Sequence, residues 1–220
     1  MTEATLSIDV VVDVVCPWCY IGKRKLEAAL AQAEAAGLPP AQVRWHPFQL
    51  NPDMPQAGVS RKQYLEDKFG GPERAAAIYE RVRAAGRAAG LELNIDGITQ
   101  QPNTLAAHAL VAFAQEQGAD ADDVEERVMK AYFIENRFIG SIDVLAEIAG
   151  EAGLDAVAAR AFIADAATRE AVAAADVQAR RMGISGVPFF IFNQKVAVSG
   201  AQDPAALLQA MQQSLQPETA

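Results

Sequence analysis

The sequence is poor in cysteine, histidine and positive charge. Its 220 residues include two cysteines and two histidines, and 19 Lys and Arg stand against 28 Asp and Glu, giving a net charge of −9. Two cysteines exclude a disulfide-rich scaffold and a zinc site made of four cysteines. The acidic balance argues against a nucleic-acid partner, because surfaces that bind nucleic acids carry clustered Lys and Arg. With 51% hydrophobic and 21% charged residues, the composition is typical of a globular protein of one or two domains.

The chain also lacks a leader pattern and a long apolar run. A secretory leader begins with a positively charged segment, whereas Met1–Asp9 contains no Lys or Arg and includes the acidic Glu3. The apolar run Val10–Val15 is interrupted by Asp13, and a membrane span requires ~20 apolar residues. We therefore expect a cytoplasmic protein that does not associate with a membrane.

The N-terminal quarter predicts a strand, a helix and a second strand. Leu6–Val15 is rich in valine, which is typical of a largely buried strand. From Pro17 onward the apolar residues follow a helical period, and Gly37 marks the end of this helix. Val43–Phe48 is the second predicted strand. Two strands joined by one helix form a parallel pair with a right-handed crossover.

The middle of the chain, Arg61–Arg181, is rich in alanine and predicts successive helices without a strand. Residue types that cap helices well mark three expected helix starts, at Asn103, Ser141 and Asp155. Strands return at Val187–Phe192 and Lys195–Val198, and their short connection requires an antiparallel hairpin. A last helix is expected to begin at Asp203 and Pro204.

This order of elements predicts an α/β fold, in which a βαβ half and a ββα half are separated by an all-helical insertion. We expect residues 1–60 and 182–220 to form one domain together, and residues 61–181 to form the helical insertion domain. A chain of 220 residues is long enough to bury a core in both parts without covalent staples.

Both cysteines lie in one C-P-W-C motif where the first strand gives way to a helix. A helix N-terminus carries a partial positive charge of about half a unit, which lowers the pKa of a cysteine there. Pro17 suits the first helical turn. On the helical wheel Cys19 falls on the apolar stripe, while Cys16 lies at the exposed tip. We expect the exposed Cys16 to exchange with a substrate and the sheltered Cys19 to resolve the mixed disulfide.

Three other interpretations of the pair are weaker. A structural disulfide across four residues adds little chain-entropy stabilisation and is disfavoured in the cytosol. Half of a zinc site would need two more ligands, and the histidines His46 and His108 match no zinc spacing, so no metal is expected. Chance burial of two cysteines does not explain their position at a strand-to-helix junction. Trp18, between the cysteines, is a supporting site residue.

Asp13 and Pro188 each leave two alternatives open. Asp13, three residues before Cys16, is either an inward-facing proton acceptor for the dithiol or a strand residue that faces solvent. Pro188 begins a strand run, where proline is usually excluded. A cis Val187–Pro188 bond would explain this position, whereas base rates alone favour an ordinary trans proline.

The motifs resemble those of the DsbA family of thioredoxin-fold oxidoreductases. The resemblance rests on C-P-W-C at the first helix, G-V-P-F-F before the third strand and the helical insertion between them. Within the family, Asp13–Lys23 resembles the FrnE-like subgroup, which is related to the 2-hydroxychromene-2-carboxylate isomerases. Further matching stretches are Pro47–Pro52, Asn103–His108, Gly183–Phe190 and Ser199–Gln202.

The resemblance implies a thiol–disulfide oxidoreductase with Cys16 as nucleophile and Cys19 as resolving thiol. It implies a cis Pro188 against the dithiol, with the backbone of Val187 offered to an extended substrate peptide. The C-terminal part lacks the second cysteine pair known in some FrnE-like proteins, so one dithiol is expected to act alone. The direction of exchange and the oligomeric state are not specified by the sequence.

The implied substrates are protein or small-molecule thiols and disulfides. No cofactor is expected besides the redox-active Cys16–Cys19 disulfide, with glutathione open as a co-substrate. Two alternatives remain. One is a glutathione-dependent isomerase of the 2-hydroxychromene-2-carboxylate or polyketide type, although such enzymes commonly have serine at the nucleophile position. The other is a non-catalytic chaperone or binding protein.

Several polar residues near the motifs are expected to be structural. Asn103 is predicted as a helix cap and His108 as a helix histidine whose hydrogen bonds are satisfied. The basic run Lys23–Lys25, which follows the dithiol, is expected to form a solvated face.

Overall fold

The computed structural model describes residues 5–217. The strands in this range are β1 (Leu6–Val12), β2 (Ala41–Pro47), β3 (Val59–Ser60), β4 (Gln100–Gln101), β5 (Phe189–Phe192) and β6 (Val196–Ser199). The α-helices are α1 (Pro17–Ala35), α2 (Arg61–Phe69), α3 (Pro72–Ala88), α4 (Leu105–Glu116), α5 (Ala121–Phe133), α6 (Ile142–Glu151), α7 (Ala156–Ala164), α8 (Ala166–Arg181) and α9 (Pro204–Ser214).

A four-stranded sheet in the order β2-β1-β5-β6 forms the centre of the fold. β1 pairs with β2 in parallel, with Leu6 opposite Ala41 and Val12 opposite Pro47. β1 also pairs with β5, and β5 with β6, in antiparallel register. This topology confirms the predicted βαβ and ββα halves and places the C-terminal end of β1 beside the start of β5.

The two faces of the sheet are covered unequally. Ile8 and Val10 of β1 lie in the main hydrophobic core together with Phe190 of β5. Val11 points to the other face, where it joins a smaller cluster that includes Ala179 of α8. Because successive strand residues alternate between the faces, the valine-rich β1 is buried on both sides. Its carboxyl end is therefore held rigidly under the first helix.

The hairpin between β5 and β6 forms with the short connection that was predicted. Asn193 and Gln194 both have positive φ, at 49° and 57°, as a tight two-residue hairpin turn requires. The side chain of Asn193 accepts a hydrogen bond from the backbone N–H of Ser7 at 2.9 Å. The turn is thereby fixed to the start of β1.

Three expectations about element boundaries were wrong. The first strand ends at Val12 instead of Val15, because the chain turns there and the backbone N–H of Cys16 donates to the Asp13 carbonyl at 2.9 Å. The helix predicted at Asn103 begins at Leu105 with Thr104 as its N-cap residue. The middle region, for which no strand was predicted, also contains the short strand β4. This strand pairs with β3, which lies just before the middle region. Two residues per strand leave no alternation that a sequence pattern could reveal.

The other predicted helix starts are confirmed. Ser141 and Asp155 are N-cap residues whose side chains accept hydrogen bonds from the first helical turn. Asp203 and Pro204 begin the last helix as expected. No helix in residues 5–217 is long and apolar enough to cross a membrane.

Two expectations extend beyond the described part of the chain. Residues 1–4, which belong to the Met1–Asp9 segment analysed for a leader, lie outside it, as do residues 218–220. The division into residues 1–60 with 182–220 and residues 61–181 stays a prediction.

Candidate active site

The C-P-W-C motif forms the first turn of α1. Cys16 is the N-cap residue, with extended backbone angles, and Pro17 occupies the first helical position. The backbone N–H of Cys19 donates to the Cys16 carbonyl at 2.9 Å, which brings the two cysteines onto one turn. Both carry free thiols. The geometry is suited to the formation of a disulfide within the turn and to its opening by exchange.

Cys16 is more buried than the helical wheel predicted. Its relative exposure is 5%, against 0% for Cys19. The expectation of an exposed tip was wrong because a loop from a distant part of the chain covers Cys16. The Cys16 Sγ lies 3.9 Å from the carbonyl oxygen of Val187 in that loop. Trp18, between the cysteines, is 41% exposed and marks the open side of the site.

The surroundings shift the pKa values of the two thiols in opposite directions. A hydrogen bond from the Cys19 side chain is the largest influence on Cys16 and lowers its pKa, although burial and the charge of Asp13 act against this shift. Burial is the largest influence on Cys19 and raises its pKa well above the ordinary value. Cys16 is therefore the thiol of the pair that ionises more readily, as a nucleophile requires.

The loop before β5 contains a cis peptide bond between Val187 and Pro188. This confirms the cis alternative for Pro188. The proline is buried and packs against α1 at Gly22, where an added Cβ would lie 2.8 Å from Pro188 Cγ. Glycine at this position therefore allows the loop to approach the dithiol. The sequence pattern of α1 does not reveal this contact, because Pro188 lies far away along the chain.

Asp13 faces inward, which excludes the alternative of a strand residue that faces solvent, while its role as proton acceptor stays a prediction. It is fully buried at the end of β1. Its Oδ2 accepts a hydrogen bond from the backbone N–H of Leu50 at 2.8 Å. Its Oδ1 lies 3.5 Å from Nε2 of His108, which is also buried. The expectation of a helix histidine with satisfied hydrogen bonds was wrong, because the buried Nε2 of His108 has no hydrogen-bond partner among the described residues.

Three of the matching sequence stretches meet around the Asp13 side chain, namely Asp13–Lys23, Pro47–Pro52 and Asn103–His108. The backbone N–H of Gln49 donates to Oδ1 of the buried Asp176 at 2.9 Å. The Gln49 side chain donates to Asn103 Oδ1 at 3.3 Å, and the same oxygen accepts from the Leu105 N–H at 2.9 Å. Asn103, one residue before the N-cap Thr104, thus accepts from the first N–H of the helix instead of being the N-cap residue itself. These bonds hold the segment after β2 against the base of the site.

Glu125 of α5 is a buried carboxyl group that sequence reasoning missed. It is fully buried. Burial is the main cause that raises the pKa of Glu125 to about 7, while the neighbouring His108 opposes the rise. A signal was present in the sequence, since Glu125 lies on the apolar stripe of α5 with Ala121, Val128 and Tyr132. A charged residue on such a stripe indicates a buried polar site.

Lys23 belongs to a buried ion-pair cluster, contrary to the expectation of a solvated face. Its side chain is 2% exposed, and its Nζ lies 2.5 Å from Glu27 Oε1 and 2.8 Å from Asp122 Oδ2. Burial lowers the pKa of Lys23, but the two carboxylates outweigh burial and leave it raised. The sequence pattern could not show this, because Asp122 lies 99 residues further along the chain.

Comparisons of the sequence and of the fold with known proteins show which proteins this chain is similar to. A sequence model of the DSBA-like thioredoxin domain matches residues 7–212. The crystal structure of a probable DsbA oxidoreductase from Streptomyces coelicolor is similar at 31% identity with a TM-score of 0.86. That match covers 98% of this chain and 92% of the other.

Two further solved structures share the fold at lower identity. One is 2-hydroxychromene-2-carboxylate isomerase, at 17% identity and a TM-score of 0.67. The other is the cytosolic disulfide reductase DsbM from Pseudomonas aeruginosa, solved with GSH, at 19% identity and a TM-score of 0.62. Each match covers 94% of this chain and 95% of the other. The fold shared with these two structures therefore covers nearly the whole chain.

Proposed function

This chain belongs to the family of DSBA-like thioredoxin domains, and we propose that it acts as a thiol–disulfide oxidoreductase through the single dithiol Cys16–Cys19. Cys16 is the nucleophile and Cys19 the resolving thiol. The observation that carries the proposal is the pair of free thiols on one helical turn, with Cys16 at the N-cap beside the Val187 carbonyl. The opposite shifts of the two pKa values support it. A structural pair of thiols has no need of such an asymmetry.

Exchange proceeds in two displacement steps. The Cys16 thiolate attacks one sulfur of a substrate disulfide, a bond forms between them, and the other substrate sulfur leaves as a thiolate with the electron pair. Cys19 then loses its proton and attacks the Cys16 Sγ. The second substrate sulfur leaves as a thiolate, and a Cys16–Cys19 disulfide remains. Two electrons pass from the dithiol to the substrate, and the reverse sequence oxidises a substrate dithiol.

The loop at Val187 and Pro188 supports a substrate-binding role. Val187 is half-buried, and its carbonyl oxygen lies beside the Cys16 Sγ. An extended peptide whose sulfur reaches Cys16 would pair with the Val187 backbone in the manner of an added strand. The exposed Trp18 ring borders the same opening and suits an apolar side chain of the substrate. Protein or small-molecule thiols and disulfides are the proposed partners, in the cytoplasm.

The proposal is tested with two serine variants in an insulin-reduction assay. Cys16→Ser removes the attacking sulfur and abolishes turnover. Cys19→Ser leaves the first step intact, so a mixed disulfide between Cys16 and the substrate accumulates and is detected by mass. Full turnover by Cys16→Ser, or no mixed disulfide with Cys19→Ser, would contradict the proposal. The reduction potential, measured against glutathione buffers, assigns the direction, because a potential below the buffer's indicates a reductase and one above it an oxidant or isomerase.

A second candidate is a glutathione-dependent isomerase of small molecules. It is favoured by the fold shared with 2-hydroxychromene-2-carboxylate isomerase. Such an activity would require glutathione as co-substrate and would survive in Cys19→Ser, because it needs no resolving thiol. A non-catalytic chaperone role, in contrast, would survive in Cys16→Ser.

A further inference from the structure

A group of buried polar atoms behind the dithiol has no hydrogen-bond partner among residues 5–217. These atoms are Asp13 Oδ1, His108 Nε2 and both carboxyl oxygens of Glu125. A buried polar group left unpaired costs roughly 1–3 kcal/mol, so their presence calls for an explanation. The exchange steps described above use neither His108 nor Glu125.

The same atoms connect the base of the dithiol to a large cavity. The cavity has a volume of about 1240 Å³ and lies between α1, β2, α4, α5 and α8. His108 and Glu125 line it, and so does Val12, the residue before Asp13. His108 is 4% exposed, while its Nε2 approaches Asp13 at 3.5 Å. The imidazole thus stands between the buried Asp13 and the cavity.

Cys19 needs a route for its proton that does not pass the substrate. It is fully buried, and during the second step the substrate sulfur is bonded to Cys16 on the open side. Asp13 acts on Cys19 both through a backbone hydrogen bond and through its charge. The charge of Asp13 thus reaches Cys19 and makes its carboxylate the candidate proton acceptor. This carboxylate is buried and has no exit of its own.

Building on the function proposed above, we infer that His108 is a proton-relay residue that carries the Cys19 proton from Asp13 to solvent in the cavity. The Cys19 Sγ–H gives its proton to the Asp13 carboxylate, and the thiolate attacks Cys16 Sγ. A Cys16–Cys19 bond forms as the substrate sulfur leaves with its electron pair. Asp13 passes the proton to Nε2 of His108, and the opposite ring nitrogen releases one to water.

The charges around His108 support a proton-carrying role. Burial lowers the pKa of His108, but Asp13 on the turn after β1, Glu125 on α5 and Asp176 on α8 outweigh burial and leave the pKa raised. Lys23 of α1 lowers the pKa of Glu125 and so favours the carboxylate that stabilises a charged His108. Carboxyl groups on the turn after β1, on α5 and on α8 therefore stabilise the imidazolium.

The test follows the two steps separately. Reduced protein is mixed in a stopped-flow instrument with one equivalent of dithiobis(nitrobenzoate). Attack by Cys16 releases a first coloured thiolate, and attack by Cys19 on the resulting mixed disulfide releases a second. We expect His108→Gln to slow the second release about tenfold to a hundredfold at neutral pH, since general acid–base catalysis contributes ~10²–10⁴-fold. The first release should change far less.

His46→Gln is the matched control, because His46 is the only other histidine and pairs with Asp9 at 2.7 Å on a partly exposed surface. It should leave both releases unchanged. The defect of His108→Gln should shrink at high pH, where Cys19 loses its proton directly to hydroxide. A second release that is equally fast in His108→Gln and wild type at all pH values would overturn the relay. Absence of a second release in the wild type would instead contradict the dithiol function itself.

Rescue with a small base separates proton transfer from a structural role. His108→Ala removes the ring beside the cavity, and added imidazole should restore the second release in this variant while leaving the wild type unchanged. Failure of imidazole to restore a slowed second release would assign His108 a structural role and overturn the relay. If His108→Ala does not fold, the pH dependence of the second release in His108→Gln decides the test.

Discussion

At the scale of single residues, the charge of Asp13 acts on both thiols of the site. The largest influences are the hydrogen bond from Cys19, which lowers the pKa of Cys16, and burial, which raises the pKa of Cys19. The negative charge of Asp13 raises both pKa values. The sequence left the direction of this side chain open, because a turn immediately after a strand has no fixed alternation.

Asp13→Asn should therefore lower the pKa of Cys16 further. Asparagine keeps an acceptor for the Leu50 N–H and removes only the charge. The measurement is the thiolate absorbance of Cys16 as a function of pH. Asp9→Asn, on the same strand but away from the dithiol, is the control and should not change the curve. An unchanged or raised Cys16 pKa in Asp13→Asn would contradict this account of the site.

Glu125 makes stability depend on pH. Its pKa is about 7 in the folded protein and 4.5 ordinarily, so between these values the folded state holds a proton that the unfolded chain has lost. The free energy of unfolding should therefore fall as pH rises from about 4.5 to 7, by up to about 3 kcal/mol for this group. Glu125→Gln should flatten this part of the urea-unfolding profile. If the urea-unfolding profile of Glu125→Gln kept the wild-type slope, Glu125 would be ionised in the folded protein throughout this pH range.

At the scale of elements, the site depends on close contact between α1 and the loop before β5. Gly22→Ala would place a Cβ 2.8 Å from Pro188 Cγ, and overpacking of this kind costs about 1–3 kcal/mol. We expect lower stability in urea and faster alkylation of Cys16, because displacement of the loop uncovers the thiol.

Gly150→Ala in α6 is the matched control for this contact. Its added Cβ meets only Ala156 at 3.7 Å, so a helical alanine should be neutral or stabilise by roughly 0.5–1 kcal/mol. Equal effects of the two substitutions would mean that contact with Pro188 does not matter.

Local patterns decided which elements could be predicted. The helix α1 and the hairpin were predicted, because helical period and turn length are visible in a few consecutive residues. The local pattern left the cis bond before β5 open, and only the family resemblance implied it. The pairing of Val59 with Gln101 could not be predicted, since it depends on how the segment between them folds back. The burial of Cys16 was missed for the same reason, as its cover comes from Val187.

At the scale of the whole molecule, two helices from the middle of the chain reach the candidate site. His108 and Glu125 come from α4 and α5, and both lie behind a dithiol on α1. Matching stretches in the sequence indicated that Asn103–His108 was significant. They could not indicate that this stretch packs beneath Asp13, which depends on the docking of the helices against β1.

Lys23 links α1 to α5 and should contribute to stability more than its neighbours. Lys23→Gln leaves Glu27 and Asp122 without their buried partner. We expect a loss of about 1–3 kcal/mol in urea unfolding, less than the ~3–5 kcal/mol of a fully buried pair, because the carboxylates reach solvent. Lys25→Gln, which breaks a partly exposed pair with Asp203, should cost no more than about 1 kcal/mol. Equal losses of stability in Lys23→Gln and Lys25→Gln would indicate that the ion pairs of Lys23 contribute no more than a partly exposed pair.

The pKa of Cys16 tests the central claim most directly. Reduced wild-type protein is alkylated with iodoacetamide over a range of pH, and modification of Cys16 is followed by peptide mass. The account predicts half-maximal reactivity below the free-thiol value of ~8.5, with Cys19 unreactive over the same range. A Cys16 pKa at or above the free-thiol value, or alkylation of both cysteines at similar rates, would contradict it.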